Sequence, residues 1–63
     1  MTGKQLKEIR LNLNLTQLDF GYLLGYAKKT ANIRVSELES DKIRITGTIE
    51  RLARYIEKYG PKI

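Results

Sequence analysis

Apolar residues return at intervals of three and four along most of this chain, the spacing that places them on one face of a helix. Leu6, Ile9 and Leu13 form the first such row. The hydroxyl of Thr2 can cap the turn that follows it, and Gln5, three residues on, completes a capping box. A first helix is therefore predicted from about Gly3 to Leu13. Asn12 and Asn14 flank its stop, where asparagine tolerates the left-handed conformation that ends helices. Thr16 is the next cap, and Leu18, Phe20, Leu23 and Leu24 supply the apolar surface of a short second helix from about Gln17 to Leu24, ended by Gly25. The stretch from Tyr26 to Thr30 holds two lysines and no periodicity, so it reads as a connection. Thr30 is placed to cap a third helix whose inward face is Ala31, Val35 and Leu38, closed by Glu39. Ser40, Asp41 and Lys42 read as a turn, and Ile43, Arg44 and Ile45 as an extended crossing. A fourth helix follows from about Thr48 to Tyr59, with Ile49, Leu52, Ala53 and Ile56 inward and Arg51, Arg54 and Lys58 on other faces. Gly60 and Pro61 stop it, because proline cannot continue a helix.

No internal repeat or linker-like composition interrupts this pattern. The expected fold is all-α: one compact four-helix domain over residues 1–63, with room for a short fifth turn. A chain of 63 residues is near the size that buries only about 60% of its unfolded surface. Cysteine and histidine are both absent, which removes disulfides and the usual zinc-ligand sets. Oligomerisation is then the remaining means of reinforcement.

Charge narrows the partners. Twelve Lys and Arg against seven Asp and Glu give a formal charge of +5, which favours a polyanion through long-range attraction. No apolar run approaches a membrane span and the N-terminus lacks the apolar stretch of a signal peptide, so a cytoplasmic protein without a membrane partner is expected. Enzymatic chemistry is not expected either: Ser36 and Ser40 have no histidine to activate them. The carboxylates are scattered among lysines and arginines, no glycine-rich phosphate loop is present, and no cofactor or metal is implied.

Two short helices joined by a compact connection, over about residues 16–39, form the arrangement of a helix-turn-helix. Gly21, in the middle of the first of them, has two readings. It is either an incidental helical glycine or a close-contact position, where any side chain would hold two crossing helices apart and where glycine is kept despite costing about 1 kcal/mol of helix propensity.

The run Leu6-Lys7-Glu8-Ile9-Arg10, the opening Leu15-Thr16-Gln17, Gly21, the closing Leu24-Gly25 and the run Glu37-Leu38-Glu39-Ser40-Asp41-Lys42 together resemble the Cro and phage-repressor helix-turn-helix family, also called the xenobiotic-response-element family. The resemblance spans about Leu6 to Leu52. It implies that Arg10 pairs with Glu39, tying the first helix to the end of the third, and a buried guanidinium–carboxylate pair of this kind is destabilising to break. It also implies that Gln17 contacts a DNA phosphate, which suits an amide donor at a helix N-terminus; the other reading is a surface glutamine without duty. The chain departs from the family in the connection before the third helix, about four residues longer between Gly25 and Glu39 than is usual.

The third helix is the expected reader, since a helix fits the major groove and its side chains meet base edges there. With Ala31, Val35 and Leu38 inward, Asn32, Ile33, Arg34, Ser36 and Glu37 point outward. Asn32 can pair with adenine, Arg34 with guanine, Ile33 with a thymine methyl, and Glu37 can accept from cytosine. The competing reading makes this row an ordinary solvated face with Ile33 in the core. Lys28, Lys29 and Thr30 in the long connection, and Lys42 and Arg44 after the helix, are candidate backbone contacts whose effect is salt-dependent and sequence-independent.

Members of the family often carry a fifth helix, and here Tyr55, Tyr59 and Ile63 are candidates either for the core or for a two-fold contact in a homodimer. The expected function is that of a dimeric repressor that occludes a promoter at a palindromic operator in double-stranded DNA, often of its own phage, plasmid or mobile-element operon. The alternatives are an RNA-binding domain, for which Tyr22 and Tyr26 are the only stacking candidates near the basic segment, and a protein-interaction module such as an antitoxin-like partner.

Overall fold

Threonine hydroxyls start three of the four helices. A computed structural model, describing residues 1–61, contains α1 (Gly3–Asn12), α2 (Gln17–Leu23), α3 (Ala31–Glu39) and α4 (Gly47–Tyr59), with no strand among the described residues. Thr2, Thr16 and Thr46 accept from the backbone N–H groups of Gln5, Asp19 and Ile49 at 3.2, 3.1 and 3.3 Å. At Thr2 the capping box is complete, because Gln5 Oε1 accepts from the Thr2 N–H at 2.8 Å. Two starts differ from the sequence expectation. Helix α4 begins at Gly47, one residue before the expected Thr48, because Thr46 is extended (φ −73°, ψ 164°) and supplies the cap. Thr30 makes no side-chain cap: its backbone is not extended (φ −122°, ψ −2°), and its hydroxyl turns back to donate to the Ala27 carbonyl at 3.5 Å.

The first three helices end in the same way. Asn14, Gly25 and Asp41 all have positive φ, at 57°, 98° and 60°, and each places its own N–H and that of the next residue on the last free carbonyls of its helix. The paired bonds run from Asn14 and Leu15 to Leu11 and Arg10, from Gly25 and Tyr26 to Tyr22 and Gly21, and from Asp41 and Lys42 to Leu38 and Glu37. This is the Schellman arrangement, and glycine, asparagine and aspartate are the residues that enter it at least steric cost.

The core is Leu6, Ile9, Leu15, Phe20, Leu24, Val35, Leu38, Ala53 and Ile56, drawn from all four helices, with Leu13, Leu23, Tyr26, Ile45 and Ile49 half-buried around it. Leu18 and Leu52, expected to face inward, are instead exposed at 44% and 36%. Phe20 and Leu24 already fill the space beneath α2, and Ala53 and Ile56 that beneath α4. No fifth helix occurs among the described residues, and no helix is long and apolar enough to cross a membrane.

Helix α3 lies between α1 and α2, and both contacts depend on glycine. A Cβ built on Gly21 falls 2.5 Å from the Ala31 carbonyl oxygen and 2.7 Å from its Cβ, which settles Gly21 as a close-contact position. A Cβ on Gly3 falls 2.3 Å from the Glu39 carbonyl oxygen. At that second junction the start of α1 meets the end of α3, so the positive end of one helix dipole faces the negative end of another. Asp41 joins them directly, its Oδ1 accepting from the Gly3 N–H at 2.9 Å.

Candidate nucleic-acid interface

The nine residues of α3 divide into two faces. Ala31, Val35 and Leu38 are buried at 0–1% exposure. On the other side Asn32, Ile33, Ser36, Glu37 and Ser40 line an open groove with Gln17 from the start of α2 and Lys42 from the turn after α3. A helix turns by about 100° per residue, so a buried row at 31, 35 and 38 forces 33, 36, 37 and 40 outward. Ile33 is 51% exposed and does not belong to the core, which rejects the reading that placed it there. Sequence reasoning did not single out Ser40, yet its spacing of four from Ser36 places it on the same row.

Behind the groove, α3 is fixed by a charged network. Arg10 donates to Glu39 through Nε at 2.7 Å and through a terminal nitrogen at 3.2 Å, and its other terminal nitrogen donates to the Leu15 carbonyl at 3.1 Å. The two side chains are 11% and 5% exposed. No side-chain polar atom fully buried among the described residues lacks a partner. Removing one member of such a pair costs about 3–5 kcal/mol, because the other is left charged and desolvated. Gln17 is the third member: its Nε2 donates to Glu39 Oε1 at 3.2 Å. Gln17 also lines the groove, so its side chain is held in place from behind.

The cations are distributed unevenly about this face. Lys42 and Arg44 are exposed past the C-terminal end of α3, and Lys28 and Lys29 are exposed before its N-terminal end. Lys28 leans toward α2, its Nζ 5.2 Å from the centre of the Tyr22 ring, and with Leu18, Asp19 and Tyr22 it lines a separate hollow. Thr30 is half-buried with its hydroxyl on Ala27. Arg34 does not line the groove; its guanidinium donates to Glu37 one turn along the helix. The outward face of α3 itself thus carries one cation and one anion, paired, with further cations beyond each end.

On α4, Tyr55 and Tyr59 are 61% and 56% exposed, which removes them from the core. Their rings meet one turn apart in a tilted arrangement, centroids at 4.8 Å and planes at 44°, and Lys58 Nζ lies 5.3 Å from the Tyr59 ring centre. Tyr55, Leu52, Ile56, Leu23 and Gly60 line a mainly apolar hollow beside them. Ile63, expected with these tyrosines, lies outside the described residues. Among the described residues no three carboxylates converge closely enough to hold a metal ion. Compared with protein-family models, with curated proteins and with solved structures, the chain matches none.

Proposed function

We propose that the chain is a sequence-specific double-stranded-DNA-binding regulator of helix-turn-helix type, acting as a dimeric repressor, with α3 as the helix that enters the major groove. One observation carries the reading. Asn32, Ile33, Ser36 and Glu37 stand in an outward row on a helix fixed from behind, and they offer an amide, an apolar side chain, a hydroxyl and a carboxylate. These are the side-chain types that discriminate base edges. A helix about 10–12 Å across with its side chains fits a major groove about 12 Å wide. Lys42 and Arg44 at one end and Lys29 at the other are placed to meet phosphates on either side of that groove, and Gln17 is oriented toward it by Glu39. Tyr55 and Tyr59, with the hollow beside them, supply the two-fold contact that matches a palindromic site.

A second reading is supported by the neutrality of the α3 face. With Arg34 paired to Glu37 and Ile33 exposed between them and Ser36, the same row suits a protein partner, as in an antitoxin-like module. Titration of the purified protein with its own upstream DNA and with a scrambled duplex, across a salt series, separates the two. DNA recognition predicts a preference for the upstream duplex that Asn32→Ala reduces by roughly 5- to 150-fold, as for loss of a bidentate base contact, and a salt slope that Lys42→Ala lowers by about one phosphate equivalent. Equal, weak binding to both duplexes leaves the protein-partner reading in its place.

A further inference from the structure

Arg34 is the only cation on the outward face of α3, and it is not free. Its guanidinium donates to the Glu37 carboxylate at a separation of three residues, with the arginine side chain 44% exposed and the glutamate 21% exposed. Glu37 is the more enclosed partner. It sits at the end of α3, where its own backbone carbonyl accepts from the Lys42 and Ile43 N–H groups and from the Ser40 hydroxyl, and its side chain forms part of the groove wall. The pairing therefore holds the Arg34 guanidinium on a carboxylate of the groove wall, where it is not offered to a phosphate of any sequence.

Resting on the DNA-binding reading above, we infer that Glu37 is a specificity-determining residue that acts by restraining Arg34: it withholds the guanidinium from phosphates of non-cognate DNA and releases it only where a base-edge donor satisfies the carboxylate. On a non-cognate sequence, opening the pair leaves a carboxylate facing a polyanion with no partner. On a cognate one, an amine of cytosine or adenine takes the carboxylate, and Arg34 is free for guanine or a phosphate. The mechanism is a penalty against wrong partners and not an added attraction to the right one. An exposed pair of this spacing contributes little to folding, so its removal leaves a folded protein to test.

The test is a double-substitution cycle of Glu37→Gln and Arg34→Ala, reading affinity for a scrambled duplex and for the upstream duplex over a salt series, with thermal melts alongside. Glutamine keeps the shape and removes the charge. Glu37→Gln is expected to tighten scrambled-duplex binding by about fivefold at low salt and to steepen its salt slope by about one phosphate equivalent, while narrowing the preference for the upstream duplex. In the Arg34→Ala background the same substitution is expected to tighten scrambled binding by only about twofold, since the repulsion of a lone carboxylate is relieved but there is no guanidinium to release. Equal effects in both backgrounds would show general charge repulsion and overturn the inference, as would an unchanged or weaker scrambled affinity in Glu37→Gln. A wild type with no preference for the upstream duplex overturns the DNA-recognition reading, while the cycle on the scrambled duplex still reports on the restraint. Absence of binding by every variant to either duplex overturns both.

Discussion

The inner and outer faces of α3 are made from different members of the same nine residues and are built on opposite terms. Inside, Ala31, Val35 and Leu38 are fully enclosed, and Gly21 lets the Ala31 backbone approach α2 more closely than any side chain would allow. Outside, the side chains of Asn32, Ile33 and Ser36 are exposed and lie apart from the core cluster. A face that is enclosed is specified by packing, whereas a face so varied in chemistry and so free of structural duty is available for recognition. The difference separates stability from binding in one helix, and substitutions can be chosen to probe each alone.

The largest effect is expected at the network that fixes the inner side. Arg10→Ala leaves Glu39 charged and enclosed and is expected to destabilise by about 3–5 kcal/mol, read as a fall in the urea midpoint. Next come the two close approaches. Gly21→Ala and Gly3→Ala place a methyl 2.5 Å and 2.3 Å from backbone carbonyl oxygens, and each is expected to cost about 1–3 kcal/mol despite alanine's better helix propensity. Gly47 sharpens the contrast, because a Cβ there meets nothing within 4 Å; Gly47→Ala is expected to stabilise by up to about 1 kcal/mol in the same denaturation experiment. Smallest of all, Asn32→Ala and Ser36→Ala on the outer face are expected to move stability by no more than about 0.5 kcal/mol while changing DNA binding. A loss of stability from these two comparable to that from Gly21→Ala would abolish the distinction between the faces.

Much of the inner architecture is legible in the sequence, because it follows from local chemistry. Thr2 with Gln5, Thr16, the stops at Asn14 and Gly25, and the Ala31, Val35 and Leu38 row are all set by neighbours within one or two turns. What the sequence hides is set by distant parts of the chain. The crowding at Gly3 comes from the Glu39 carbonyl, and the Asp41 carboxylate reaches the start of α1 across 38 residues; neither has a local signature. Thr46 is not legible as a cap, because the glycine after it resembles a break and not a first helical residue. Leu18 and Leu52 looked internal because helical spacing gives the direction of a side chain but not the width of the core, and a domain this small fills its core with fewer positions than its stripes offer. The outward row of α3 follows from the inward one, so its position is legible. The pairing of Arg34 with Glu37 depends on rotamers, and spacing alone does not reveal that the face is neutral.

The most direct test of the account is to map backbone amide shifts by NMR as the upstream duplex is added. The account predicts the largest perturbations at Gln17, Asn32, Ile33, Ser36 and Glu37 and next at Lys42 and Arg44, with Val35 and Leu38 following only weakly. Perturbations confined to the Leu52, Tyr55 and Tyr59 face of α4, or none along α3, would contradict it.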